Sequence, residues 1–389
     1  MQECGRFPLL ARTAMRALHG ARAGAGFQAA PLSRLDALPA ALLDRTAENH
    51  VSASAEFSGT MHPKAPHSRR KVLFTNLVKA SIPALFVTMA LSAPAAQLSG
   101  DARAAIPHDV QQLVVIDYKA MQNSDSAMQL RDRVMPPDLK QFDDALRKSG
   151  LNDNHDVDQL AFALFRPKSS SDQLETVGIA QGQFSVQDIM ADFRKKRVRP
   201  TIVRSSKIYP MGRTGMVLCF VDPSTMVFGT TEAVKQTLDV RDGMAQSMLS
   251  NGPMMDAMRS VDYEPLWSIL DQKGTQTMMR QVLGQAGSVA DFDSVRKRLL
   301  NSWYAMDFVH GVKFDLTIVT GDAFAAATVS SLLNAAVLYR KMSGSDSEKA
   351  ALAATDVSSN SGQLSIHFAA SDTEFSSLLQ SSLFQSMVR

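Results

Sequence analysis

The chain has 389 residues, of which 45% are hydrophobic and 20% are charged, a composition typical of a folded protein with room for two ordinary domains. Residues 1–96 contain 11 of the 41 basic residues and five of the 38 acidic residues, so residues 97–389 contain 30 basic and 33 acidic residues. This slightly acidic balance gives no electrostatic indication of nucleic acid or of an anionic membrane surface as a partner.

Residues 1–60 contain six arginines and no lysine, and they have no sustained hydrophobic period. A signal-like segment follows them at residues 61–96, although such segments normally stand first in a chain. We therefore expect Met61 to be the true start and residues 1–60 to be a non-native upstream extension or disordered. The alternative is an arginine-rich organellar presequence.

Residues 61–96 have the three parts of a secretory signal peptide. A basic cluster at 64–71 precedes an apolar run at 80–93, and small residues follow at 93–95. The pattern predicts export of residues 97–389 to the periplasm. An adjacent arginine pair also allows a twin-arginine signal, but an ordinary basic segment is the simpler interpretation.

The same apolar stretch has an alternative interpretation as an uncleaved inner-membrane anchor at residues 72–95. Lys79 interrupts that stretch. The uninterrupted part of roughly 14 residues is too short to cross about 30 Å of hydrocarbon. Cleavage is therefore the favoured prediction.

Strands and helices alternate after residue 97. The predicted strands are 112–117, 160–165, 175–184, 201–208, 215–221, 225–228, 264–270, 303–309, 312–320, 351–357 and 363–369. The predicted helices are 126–148 with a break at the proline pair 136–137, one after Ser185, one capped by Thr230 or Thr231 and ending at Asp239, 275–283, 292–301, 322–342 and 372–384. Ser371 and Glu374 have the spacing of a capping box at the start of the last helix.

The order of these elements predicts an α+β fold with two similar halves, each a largely antiparallel sheet with helices packed on one face. We divide the chain into a first α+β unit at 97–243, a Met-rich connection at 244–261 and a second α+β unit at 262–389. Steps from strand into helix, such as those at 226–232 and 364–374, recur in both units. They suggest an internal duplication.

Two short motifs resemble sequences found in exported bacterial proteins of unknown function, including acidobacterial ones. They are Ile106-Pro107 before a strand and the strand-to-helix step at 227–235. The resemblance spans roughly residues 105–389 and implies bacterial export. It brings no catalytic or binding residues with it.

Metal ligands are sparse in residues 97–389. The histidines are His108, His155, His310 and His367, and none forms an HxH or HExxH pair. Residues 153–158 concentrate oxygen ligands. An EF-hand loop that started at Asn154 would need Gly and Glu where Gln159 and Phe165 stand. A polar turn is the better interpretation.

Methionines are concentrated in the connection between the halves: Met244, Met248, Met254, Met255 and Met258. Thioethers at a spacing of four can bind Cu(I). The same spacing also suits a flexible hydrophobic face, which is the interpretation we prefer at the junction of the halves.

The run Arg194–Arg199 contains five cationic residues among six. Such a run could hold an anionic partner, for example a phospholipid headgroup. Cations at the end of a helix also complement its dipole and remain solvated, and this is the favoured interpretation.

Signatures of nucleophilic catalysis are missing from the sequence, which has no GxSxG elbow, P-loop or GxGxxG. Cys4 precedes the signal, and Cys219 lies in the apolar run 216–221, where we expect a buried and unreactive thiol. Residues 97–389 therefore can form neither an intramolecular disulfide nor a CxxC zinc site.

These observations lead us to assign no catalytic, cofactor-binding or metal-binding residues and no cofactor. They favour an exported, non-enzymatic binding or scaffold protein of the cell envelope, with an envelope protein, a lipid or a peptide as partner and no nucleic acid. The alternative is a periplasmic hydrolase whose site is assembled between the two halves.

Overall fold

The structure is a computed structural model. It describes residues 97–135, 137–148, 150–151, 156–167, 174–212, 215–283 and 292–381. The predicted upstream extension (1–60) and signal peptide (61–96) lie outside the described residues, as do residues 153–155 of the 153–158 cluster.

Twelve strands form one sheet in the described part of the chain. They are β1 (Val110–Asp117), β2 (Val157–Phe165), β3 (Glu175–Gly182), β4 (Thr201–Val203), β5 (Ser206–Pro210), β6 (Met216–Asp222), β7 (Thr225–Thr230), β8 (Leu266–Leu270), β9 (Leu299–Asp307), β10 (Val312–Thr320), β11 (Thr355–Asn360) and β12 (Gln363–Ala370). Every pair of neighbouring strands is antiparallel. The predicted α+β class with a largely antiparallel sheet is therefore confirmed.

The two halves share this sheet instead of forming separate ones. Its order is β11-β12-β10-β9-β8-β1-β2-β3-β7-β6-β5-β4, so the first strands of the two halves, β1 and β8, lie side by side at its centre. From the centre to one edge, the first half contributes β1, β2, β3, β7 and β6, followed by the β4–β5 hairpin. Strands β1, β2 and β3 are its first three strands, and β7 and β6 are its last and next-to-last strands. From the centre to the other edge, the second half contributes β8, β9, β10, β12 and β11, which is the same order without a hairpin. Duplication of the halves stays a prediction.

Helices connect and cover the strands. They are α1 (Gly100–Ala105), α2 (Tyr118–Met121), α3 (Asp125–Val134), α4 (Pro137–Lys148), α5 (Val186–Lys195), α6 (Thr231–Arg241), α7 (Gly252–Arg259), α8 (Gln272–Leu283), α9 (Phe292–Arg296), α10 (Ala323–Ser343), α11 (Asp346–Ala353) and α12 (Asp372–Gln380), with a 3-10 turn at Met248–Ser250. Among the described residues, no helix is long and apolar enough to cross a membrane.

Hydrophobic residues cover both faces of the central strands. Val114 and Ile116 point to what we name the first face, where they pack with residues of α3, α8, α10 and α12. Leu113 and Val115 point to the second face, where they pack with α1, α6 and α7. The helices of residues 262–389 lie on the first face, as predicted, whereas the first half has helices on both faces.

The Met-rich connection supplies part of the second face. Met248, Met254 and Met258 are buried there, and Met255 packs against the same cluster, whereas Met244 is exposed. Helix α7 contacts β8 and β9. These thioethers therefore fill the core at the junction of the halves.

Two of the three helix N-caps predicted from the sequence form the expected hydrogen bond. The Thr230 side chain accepts a hydrogen bond from the Ala233 amide at 3.1 Å. Ser371 and Glu374 form the predicted capping box. Ser185 precedes α5, but its side chain makes no capping hydrogen bond.

Residues 201–208 were predicted as one strand, and this was wrong. They form the β4–β5 hairpin instead, with Arg204 in the turn at a φ of 53°. Arg204 pairs with Asp239 and Asp242 near the end of α6, and these ion pairs hold the turn against that helix.

Two boundaries in the second half also differ from the prediction. Residues 351–357 were predicted as a strand, but α11 continues to Ala353 and β11 begins at Thr355. A capping box of Ser345 and Glu348 starts α11, and Glu348 is buried. Residues 292–301 were predicted as a helix, but α9 ends at Arg296 and β9 begins at Leu299.

Gly178 in β3 lets an aromatic ring lie flat on the sheet. It pairs with Phe228 of β7, whose ring also stacks on Phe142 of α4 at a centroid distance of 4.7 Å. A Cβ atom at residue 178 would lie 2.2 Å from the Phe228 ring. The absence of a side chain at Gly178 therefore determines how α4 packs on the sheet.

We expect Gly178→Ala to destabilise the fold by about 1–3 kcal/mol, because the new methyl group must displace the Phe228 ring. Gly252→Ala is the control, since a Cβ atom there has no neighbour within 4 Å. Urea unfolding of both variants measures the difference. Equal stabilities of the two variants would contradict this account of the packing.

Candidate functional site

Three polar residues meet at one end of the central strands. Strands β2 and β8 are both antiparallel to β1, with Val110 opposite Phe165 and Gln112 opposite Leu270. The residue before β1 and the residues after β2 and β8 therefore reach the same end of the sheet. They are Asp109, Arg166 and Asp271.

A polar cleft of about 520 Å³ opens at this end, a volume within the range of small-molecule sites. Its lining residues are His108, Asp109, Val110, Gln111, Arg166, Pro167, Asn251, Asp271 and Lys273. They come from both halves and from the Met-rich connection. We name this feature the central cleft.

Asp271 is fixed at the start of α8 by three hydrogen bonds. Its Oδ1 accepts from the Gly274 amide at 2.7 Å, and its carbonyl accepts from the Thr275 amide at 2.8 Å. Its own amide donates to the Gln111 carbonyl at 3.0 Å. A Cβ atom at residue 274 would lie 2.4 Å from that carbonyl oxygen, so Gly274 permits the close approach of α8 to β1.

Burial raises the pKa of Asp271 to about 6. The Gly274 amide and the positive charges of Lys273 and Arg166 act in the opposite direction, but they do not cancel the loss of hydration. A carboxyl group with such a pKa can donate or accept a proton near neutral pH. Asp271 is the side chain of the central cleft best suited to acid–base chemistry.

His108 lies beside a carboxylate and is held by the Met-rich connection. Its Nδ1 is 3.0 Å from Oδ1 of Asp109. Its amide donates to the Gln246 carbonyl at 3.0 Å, and its carbonyl accepts from the Asn251 side chain at 3.1 Å. The connection between the halves therefore positions one wall of the central cleft.

The chemistry available in the central cleft is polar recognition and proton transfer. Its described lining includes two cations, one imidazole and two carboxylates, and it contains no Ser, Thr or Cys side chain that could act as a nucleophile. No group of three His, Cys, Asp or Glu residues suited to a metal ion occurs among the described residues. This lining suits a small ligand with hydroxyl, amide or anionic groups.

A second, more apolar concavity of about 320 Å³ lies between α11, α12 and the end of β12. Phe368, Leu378 and several alanines form its apolar part. Asp346 and Glu374 also line it. Hydrogen bonds from Ser371 lower the pKa of Glu374, which is opposite in direction to the shift of Asp271.

Of the candidate residues weighed in the sequence, His108 lines the central cleft, whereas Cys219, His310 and His367 do not. Cys219 is buried, and burial raises the pKa of its thiol, as predicted for an unreactive cysteine. His367 lies on β12, with its Nδ1 2.6 Å from Asp315 of β10, on an exposed part of the sheet. His155 falls outside the described residues, and His310 lies in the turn between β9 and β10.

Sequence reasoning assigned no site residues and so missed the central cleft. One signal was present, because Arg166 and Asp271 directly follow predicted strands. The pairing of β1 with β8, which brings the two residues together, had no signal in the sequence.

Neither a protein-family model nor a curated protein matches the chain. Among solved structures, crystal form I of TP0453 is 9% identical, with a TM-score of 0.43 over 72% of this chain and 97% of that one. Crystal form III is 8% identical, with a TM-score of 0.42 over 71% and 96%. A likeness of this size carries no inference about function.

The raised pKa of Asp271 predicts a pH-dependent stability. The folded state binds the Asp271 proton more tightly than the unfolded state does. Protonation of Asp271 therefore adds to the free energy of unfolding, and this stability is fully present below about pH 4 and is lost as the pH rises through about 6. Asp271→Asn keeps a capping oxygen for Gly274 and removes the titration. We expect the variant to gain about 1–3 kcal/mol relative to the parent between about pH 4 and pH 8.

Urea unfolding of parent and variant across this pH range provides the measurement, since all other groups cancel in the difference. Asp356→Asn, at an exposed carboxylate on β11, is the control. A difference between parent and Asp271→Asn that is constant with pH would show that Asp271 has an ordinary acidity.

Proposed function

We propose that the protein is an exported, non-enzymatic binding protein of the bacterial cell envelope, and that it binds a small polar ligand with an anionic group in the central cleft. The observation that carries the proposal is the meeting of Arg166, Lys273 and His108 around one cleft at the junction of the halves. Export rests on the signal-like residues 61–96.

Charge and geometry support an anionic group in the ligand. Lys273 is exposed and makes no ion pair with any described residue, and it lies in the first turn of α8. The first-turn amides of a helix and its dipole favour negative charge. When Asp271 is protonated, the cations of the cleft outnumber its carboxylates.

Lys273→Gln tests the proposed ligand site. We expect the parent protein, purified from the envelope fraction, to carry a small molecule that native mass spectrometry detects, and we expect the variant to retain at least about tenfold less of it, because a charge-assisted contact is lost. Lys349→Gln on α11, remote from the lining residues of the cleft, is the matched control.

Equal retention by Lys273→Gln and the parent would overturn the assignment of the ligand to this cleft. Equal loss in both variants would point to a general effect of surface charge. Either outcome leaves the prediction of export to be judged separately.

N-terminal sequencing of the native protein tests export. We expect a mature chain that begins near Gln97 and is recovered from the periplasm. A peptide from residues 1–60 in the native protein would contradict Met61 as the start. A retained 72–95 segment would favour the anchored alternative.

Hydrolysis in the same cleft is the competing function, and the pKa of Asp271 favours it. Asp271 would serve as a general acid, with His108 and Asp109 as the second proton-transfer pair. A panel of chromogenic esters, phosphate esters and glycosides decides between the two functions. Turnover by the parent that is lost in a folded Asp271→Asn variant would replace binding with hydrolysis.

A further inference from the structure

One surface of the first half concentrates positive charge. Its residues are Lys148, Arg194, Lys195, Arg197, Arg199 and Lys207, all of them exposed. We name this the basic surface. It stands out because residues 97–389 as a whole contain more acidic than basic residues.

Packing brings these residues together from α4, α5 and the β4–β5 hairpin. The Phe193 ring of α5 lies 5.0 Å from the ring of Tyr209 in β5. Lys196 donates to the Lys148 carbonyl at 2.5 Å, which joins the ends of α4 and α5. These contacts hold the end of α4, the end of α5 and the β4–β5 hairpin beside one another.

Three of the acidic residues nearby are already paired with other cations. Asp192 binds Lys196 at 2.6 Å, and Asp239 and Asp242 bind Arg204. Within the part of the chain that the structure describes, no member of the basic surface forms an ion pair. Six exposed cations of the first half are therefore not held in ion pairs with described residues.

The helix dipole accounts for only part of this arrangement. Arg194 and Lys195 lie in the last turn of α5, where cations complement the helix end. Arg197, Arg199 and Lys207 lie beyond that helix, in the following turn and on β5. A stabilising role at the helix end does not explain them.

An exposed aliphatic side chain lies among these charges. Ile202 of β4 is 69% exposed and stands directly opposite Lys207, so both side chains project from the same side of the hairpin. Strand β4 is the last strand of the sheet, so the hairpin lies at an edge. An apolar side chain surrounded by cations is suited to the interface of an anionic membrane.

We propose that the basic surface docks the protein onto an anionic lipid bilayer, with the cations on the headgroup phosphates and Ile202 inserted between them. A bilayer fits better than a single anion, because the charges are spread over two helix ends and a hairpin. The proposal does not depend on the ligand of the central cleft.

Vesicle co-sedimentation of the full chain as isolated tests this docking. We expect binding to phosphatidylcholine vesicles that contain phosphatidylglycerol, no binding to phosphatidylcholine alone, and a steep loss of binding with added salt. A variant without five of the six charges, which keeps Lys148, should bind at least about 100-fold more weakly. Its substitutions are Arg194→Gln, Lys195→Gln, Arg197→Gln, Arg199→Gln and Lys207→Gln.

The matched control removes five cations that are ion-paired elsewhere and should bind like the parent. Its substitutions are Lys235→Gln, Arg259→Gln, Arg298→Gln, Lys313→Gln and Lys349→Gln.

Ile202→Ser should weaken binding about tenfold at constant charge, as expected for a lost apolar insertion, whereas Leu338→Ser at an exposed position of α10 should not. Two results would overturn the proposal: no binding to anionic vesicles, with or without binding to soluble polyglutamate, or equal losses in the two charge variants. Circular dichroism confirms that each variant is folded.

Discussion

The pairing of β1 with β8 is the constraint on which the rest of the structure depends. It joins the first strand of one half to the first strand of the other in the middle of the sheet. Gln112 donates to the Ser268 hydroxyl across this pair at 3.2 Å, and both side chains are buried. A shift of the β1–β8 register by one residue would move each side chain of β1 to the opposite face of the sheet. It would also separate Gln112 from Ser268 and leave these buried polar groups without their hydrogen bond.

Burial on both faces makes the two halves interdependent. Val114 and Ile116 pack against helices from both halves on the first face, and Leu113 packs against the Met-rich connection and α1 on the second. Either half alone would leave one edge of its first strand without hydrogen-bond partners and part of both faces exposed. The similar order of elements describes how the chain is organised, whereas we expect the whole sheet to unfold as one cooperative unit.

Local patterns in the sequence were sufficient to predict most elements, because their causes are local. The apolar run of β1 and the capping box at Ser371 need no distant partner. The β4–β5 hairpin was missed because its turn relies on Arg204 and its ion pairs with α6. The central cleft was missed for the same reason, since Arg166 and Asp271 meet only through the pairing of β1 with β8.

The charged groups of the central cleft and of the basic surface differ in their exposure to water and therefore in how strongly salt screens them. Asp271 is largely removed from water, so its interactions are fixed by geometry and are weakly screened by salt. The cations of the basic surface are exposed, so their attraction for anionic partners is long-ranged and falls with ionic strength. The cleft lies at the central strands and the basic surface beside the edge strand β4, with three strands between β2 and the hairpin. A ligand in the central cleft therefore does not exclude a membrane at the basic surface. Added salt should weaken membrane binding at the basic surface more than ligand binding in the cleft.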